Sequence, residues 1–202
     1  MSIALLTFDI FGTVLDWRRG LGRLSDAQFD WAIDRQGELE QGPWRSYAEI
    51  VARSLVEVAP IDALTAAKLG AEAGTWPLFT DSAEALRALR TIAPCAAITN
   101  SDAAHGEQVQ AQLGFRLDGW ICAEEVLAYK PDARMWETAS RKLRVPFSRD
   151  WWHVSAYADY DHSTARALGL TCVFVERPHS RKGQADLTVG DLGELVSQLR
   201  GR

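Results

Sequence analysis

The sequence predicts an α/β fold: a doubly wound parallel sheet with a block of helices inserted after its first strand. Three observations predict it. Residues 4–8, ALLTF, form an apolar run broken only by Thr7, as in strands buried on both faces. Residues 17–75 then show helical periodicity and nothing that resembles a strand. From residue 82 onward, amphipathic helical stretches alternate with short apolar runs, the pattern of β-α units around a parallel sheet.

The first strand ends at Asp9, and Phe11-Gly12-Thr13 breaks the run with a glycine turn and a hydroxyl. A carboxylate at that point lies at the crevice where open α/β sheets bind ligands. In the helical block, Gly42-Pro43 punctuates the middle and Pro60 and Gly74 the end. The boundaries expected are therefore 1–15 with 77–202 for the core and 16–76 for a helical cap. After Trp76-Pro77, Asp81 or Ser82 can cap the helix SAEALRALR. The expected order is then a strand at Cys95–Thr99, a helix through Val109 and Leu113 to Gly114, and a strand at 120–123. A helix over 133–143, a strand at Trp151–Ser155 and a helix closed by Gly169 follow. A strand at Thr171–Val175 and a helix through Leu192, Leu195 and Leu199 complete the chain.

Composition narrows the function classes. Two hundred and two residues suit one compact domain with a modest insertion, and a net charge of −5 gives no basic surface for nucleic acid. No apolar run approaches ~20 residues, so no membrane span is expected. The apolar strand beginning at Ala4 leaves no leader pattern before it. Cys95, Cys122 and Cys172 lack metal-ligand spacing and read as reduced, packed thiols, and a cytoplasmic location is expected. Most of the eight tryptophans are expected to be packing residues, with Trp17, Trp44 and Trp76 in the segments around the site.

Four strand-end segments carry the chemistry: TFDIFGT (7–13), AAITNSD (96–102), YKPD (129–132) and SAYADYDHSTARALG (155–169). Asp9, then Thr99, then Lys130-Pro131, then a late Asp161 resembles the haloacid dehalogenase superfamily, and within it the 2-haloacid dehalogenase branch. The resemblance covers roughly residues 4–17 and 77–177. It implies a Rossmann-like core with a helical cap, and a hydrolase that displaces a leaving group, above all halide, from C2 of a short carboxylic acid. Asp9 would be the nucleophile, Lys130 would hold it ionised, and Asp161 would orient Lys130 or the hydrolytic water. Thr13 would support the nucleophile, Thr99 would hold the substrate carboxylate, and Asn100 would bind the departing halide. A cap arginine would catch that halide, with Arg35 the first candidate and Arg45 the second, while Phe11 and Tyr47 would wall the substrate.

The chain departs from its relatives at informative positions. Phosphatase members carry a second Asp where this chain has Phe11, and an Mg²⁺-binding Asp where it has Ala156. Trp136 stands where the dehalogenases carry a tyrosine. The expectation is therefore no cofactor and no metal, with a small-molecule 2-haloacid as partner; a homodimer is compatible with the sequence. Two alternatives remain: an Mg²⁺-dependent small-molecule phosphatase, and a non-catalytic binding protein on the same fold.

Overall fold

The computed structural model describes residues 3–201. Six parallel strands make one sheet: β1 (Leu5–Phe8), β2 (Cys95–Thr99), β3 (Gly119–Cys122), β4 (Trp151–Ser155), β5 (Thr171–Val175) and β6 (Leu187–Val189). Their order is β3-β2-β1-β4-β5-β6, so the winding reverses between β1 and β4. Every residue of β1, β2, β4 and β5 is buried, which is why these strands read as continuous apolar runs. The polar exception, Thr7, accepts a hydrogen bond from Trp151 Nε1 at 2.8 Å and lies 2.9 Å from His153 Nδ1.

Between β1 and the core helix α5 (Ser82–Leu89) the chain makes only helices and turns. These are α1 (Trp17–Gly20), α2 (Asp26–Glu40), α3 (Tyr47–Val58), α4 (Ala63–Ala71) and a 3₁₀ turn at Ala73–Thr75. Local capping sets three of the starts: Ser25, Ser46 and Asp62 accept from the backbone N–H of Gln28, Glu49 and Thr65. At Ser25 the Gln28 side chain reciprocates, completing a capping box.

The remaining helices are α6 (Ala103–Leu113), α7 (Ala123–Val126), α8 (Arg134–Leu143), α9 (Asp161–Ala167) and α10 (Leu192–Arg200). Two elements depart from the sequence expectation. The single turn α7 begins where the third strand was expected to continue, and β6 had no counterpart; both are too short to carry a period. The inserted helices are tied to the core by α6. The Asp102 carboxylate accepts from the Tyr47 and Ala48 N–H groups at 2.8 and 2.9 Å, capping α3 from outside, and His105 Nε2 lies 2.9 Å from the Gly70 carbonyl. Among the described residues no helix is long and apolar enough to cross a membrane.

Gly70 shows how closely α3 and α4 approach. A Cβ there would stand 2.2 Å from the Ala48 carbonyl oxygen and 3.1 Å from its carbon, both backbone atoms. Alanine favours a helix by about 1 kcal/mol over glycine. The clash should outweigh that gain, so Gly70→Ala is expected to destabilise the protein by about 1–3 kcal/mol in urea unfolding. A more stable variant would mean that the two helices can separate freely.

Candidate active site

The site is built on the turn that follows β1. Asp9 N–H donates to Val154 O at 3.0 Å, which fixes the carboxylate at the strand end beside the switch between β1 and β4. Gly12 has φ +87°, and a Cβ on it would lie 2.5 Å from the Tyr157 ring, so both backbone and space demand glycine. The turn returns Thr13 beneath Asp9. Thr13 Oγ1 donates to Asp9 Oδ2 at 2.7 Å and accepts from Ala156 N–H at 2.9 Å. Behind the turn, the buried Arg177 donates from Nε to Thr13 O at 3.1 Å and pairs with Asp81 at 2.9 Å.

Lys130 comes in from the loop between α7 and α8. Its Nζ lies 2.8 Å from both Asp9 Oδ1 and Asp161 Oδ2, with all three side chains essentially buried. Burial favours neutral forms, and the three groups resolve that cost differently. Desolvation raises the Asp9 pKa, opposed by Lys130 and reinforced by the negative Asp161. Desolvation also acts on Asp161, but Lys130 and His153 together outweigh it and the carboxyl settles at about 2. Burial would lower the Lys130 pKa, yet the two carboxylates raise it, so the ammonium stays charged. His153 Nε2 stands 3.5 Å from Asp161 Oδ2. The Thr7 hydroxyl accepts from Trp151 Nε1 at 2.8 Å and lies 3.4 Å from the Trp152 carbonyl and 2.9 Å from His153 Nδ1, so His153 is held between Thr7 and Asp161. His162 does not share in this: it bonds the Gln184 carbonyl, and burial pushes its pKa down to about 4.

Above Asp9 and Lys130 opens a cavity of about 650 Å³ between the strand ends and the inserted helices. Thr99, Asn100, Phe11 and Tyr47 line it, as expected from sequence. Thr99 Oγ1 is buried and, among the described residues, has no hydrogen-bond partner. Asn100 Oδ1 accepts from Lys130 N–H at 2.7 Å, while its Nδ2 donates to Glu40 Oε2 at 2.9 Å. Phe11 packs against Tyr47 and Trp76 with ring centroids 5.0 and 5.9 Å apart.

The cap arginines are placed elsewhere. Arg35 bonds Glu57 and Glu38, and neither it nor Arg45 lines the cavity. From α2, Ile33, Asp34, Gln36, Gly37, Glu38 and Glu40 line the cavity, and at about 100° per residue Arg35 falls outside the arc they span. Arg45 is held by the Pro43 carbonyl at 3.0 Å and Glu49 at 3.5 Å. The arginine that does line the cavity, Arg181, comes from the core segment after β5 and pairs with Asp34 of α2. Sequence reading also missed Glu40, Tyr157 and Tyr160. For Glu40 a signal existed, because positions 33, 36, 37 and 40 have the i, i+3, i+4, i+7 spacing of a buried face, yet two of them, Gln36 and Glu40, are polar.

A doubly wound sheet with a lysine-clamped aspartate at its switch point, under inserted helices, defines a class of hydrolase fold. The structure superposes over the whole chain on an L-2-haloacid dehalogenase at 24% identity, covering 100% of both chains with a TM-score of 0.83. It matches the Xanthobacter autotrophicus L-2-haloacid dehalogenase at 17% identity, covering 100% of this chain and 99% of that one, also at 0.83. These likenesses establish the fold. The model of the haloacid dehalogenase-like hydrolases matches residues 3–155, and the chain belongs to that family. A Pseudomonas fluorescens (S)-2-haloacid dehalogenase is 28% identical over 128 residues, 60% of this chain and 56% of that protein. The match thus spans little more than half of that relative's length.

If Asp9 reacts as its carboxylate, the rate falls as pH drops through its raised pKa, so the acid limb should lie above the ordinary ~4 of an aspartate. Replacing Lys130 by Met removes the opposing positive charge. It should move that limb further up in pH and cut kcat/KM by about a thousandfold or more. An unchanged limb with a loss below about tenfold would place Lys130 outside the reaction.

Proposed function

We propose that this hydrolase cleaves a carbon–halogen bond at C2 of a short carboxylic acid through an ester on Asp9. The observation that carries the reading is Asp9 itself, buried at the strand end and held by Thr13 and Lys130 at 2.7 and 2.8 Å with the cavity in front of it. An Asp9 oxygen attacks C2, the C2–halogen bond breaks, and halide leaves with the bonding pair. Water then adds to the ester carbonyl, returning Asp9 as a carboxylate and releasing the 2-hydroxyacid and a proton. Residues 16–76 act as a cap that excludes water during the first step.

Within this scheme each residue has a task. Lys130 keeps Asp9 ionised and neutralises the carbonyl oxygen that becomes negative during hydrolysis. Asp161 does not line the cavity, so its part is to hold Lys130. The unpartnered Thr99 hydroxyl is suited to the substrate carboxylate. Asn100 and Tyr47 supply the polar and aromatic wall beside it.

A metal suits this donor set poorly. Lys130 already bridges Asp9 and Asp161, and Phe11 and Ala156 bring no oxygen ligand to the positions where phosphatase relatives carry carboxylates. We therefore derive no step through a cation.

Halide release from 2-chloropropionate should survive EDTA and gain nothing from Mg²⁺. Asp9→Asn should abolish it. A single turnover in H₂¹⁸O should place the label in the peptide containing Asp9 and not in the first product. Label appearing directly in the product would refute the ester. Loss of activity in EDTA with recovery in Mg²⁺, or turnover of a phosphate ester at ~1 s⁻¹ or more, would transfer the site to phosphoryl chemistry.

A further inference from the structure

We propose that the cavity wall around Glu40 is an ammonium-binding subsite, so that the acid this site accepts carries a protonated amine. The proposal takes the cavity to be the reaction site, as above, but its test involves no chemistry on Asp9.

Glu40 ends α2 on the helix face that looks into the cavity, and its carboxyl has one side-chain partner, the Asn100 amide at 2.9 Å. Among the described residues no basic side chain lies within ion-pair distance of it. Lys130 is shared between Asp9 and Asp161, and the other basic lining residue, Arg181, is paired with Asp34. Of the six carboxyl residues that line the cavity, Asp9 pairs with Lys130, Asp34 with Arg181, Glu38 with Arg35 and Asp132 with Arg134.

Aromatic rings share the cavity with this carboxyl. Tyr47 of α3, Tyr129 of the α7–α8 loop and Tyr160 before α9 all line it; burial raises the pKa of each, with the charge of Glu40 adding to it. Two of the hydroxyls are committed elsewhere, Tyr47 Oη to Gln36 at 3.1 Å and Tyr129 Oη to the Arg45 carbonyl at 2.7 Å. Trp44 stacks on Tyr129 with centroids 5.0 Å apart, backing that ring. A carboxylate set among tyrosines matches an ammonium group, which is drawn to aromatic faces and to the negative charge together. A second, independent feature asks for a ligand here: the fully buried Thr99 hydroxyl, next to Asn100, lines the cavity without a partner.

Burial, with Asp161 and Asp9 adding to it, overrides Lys130 and the Asn100 hydrogen bond and pushes the Glu40 carboxyl up to about 8. It is thus mainly protonated at neutral pH. A bound ammonium would lower that pKa and expel the proton, so binding and proton release are linked.

The test is calorimetric titration of the intact protein at pH 7 with butanoate and with 2-, 3- and 4-aminobutanoate, which vary the amine position. The tightest aminobutanoate should bind about tenfold or more tightly than butanoate, and its heat should vary with buffer ionisation enthalpy in the direction of proton release. Glu40→Gln, nearly isosteric and still able to accept from Asn100, should lose both the preference and the proton release. Tyr129→Leu should weaken the preference severalfold, and it serves if Glu40→Gln does not fold. Butanoate binding as tightly as every aminobutanoate, or the preference persisting in Glu40→Gln, would overturn the proposal. A protein that shows the preference but releases no halide would refute the reaction proposed above and leave the subsite standing.

Discussion

The buried ammonium of Lys130 is the contact on which the rest of the site depends. One cation faces two carboxylates at 2.8 Å, so the cluster carries net negative charge in a place that water barely reaches. Burying an ion costs several kcal/mol even after relaxation, and such a cluster is not an efficient source of stability. It is arranged instead so that one carboxylate is tied down and the other faces open space. Asp161 is fully buried, with His153 beside it, and its pKa is driven low. Asp9 carries the opposite shift and sits at the cavity floor. The same lysine therefore divides two chemically identical groups into an anchor away from the cavity and a carboxyl at its floor.

The scaffold explains why these groups meet although they are far apart in sequence. Asp9, Asn100 and Ser155 each follow or end a parallel strand, and β1 lies between β2 and β4, so their ends converge without any long loop. Arg177, after β5, reaches back under the turn that follows β1 to the Thr13 carbonyl. The inserted helices are registered on this floor by polar contacts rather than by the sheet, chiefly Asp102 on the start of α3 and His105 on the end of α4. Cap orientation and strand-end chemistry thus share the same loop after β2.

The buried strands were legible in the sequence because burial on both faces leaves an unbroken apolar run. Asp9, Thr13, Lys130 and Asp161 were legible because each sits beside a local signal: a glycine turn, a Lys-Pro step, or the start of a helix. The cap's contribution was not. Which side chain of α2 enters the cavity depends on the rotation of that helix about its axis, and α2 has a weak apolar stripe to fix the reading. Arg35 was singled out by residue type, whereas the face containing Ile33, Gln36, Gly37 and Glu40 was turned inward. Arg181 and Tyr160 lie in or beside irregular segments after β4 and β5, where no period exists to reveal the direction of a side chain.

Rotating α2 to that face changes the electrostatic character of the whole cavity. An arginine in the cap would have made a positive wall suited to a departing halide. With Glu40 there instead, the Asn100 amide that would face the halide spends its Nδ2–H on a carboxyl. An ionised Glu40 would act against entry of a simple anionic acid, because like charge lowers the local concentration of such a molecule at the mouth. A zwitterionic acid escapes that penalty: its carboxylate can reach the Thr99 end of the floor while its cation rests near Glu40. Under the ammonium-subsite proposal, the position of one carboxyl on α2 therefore bears on substrate choice together with the floor.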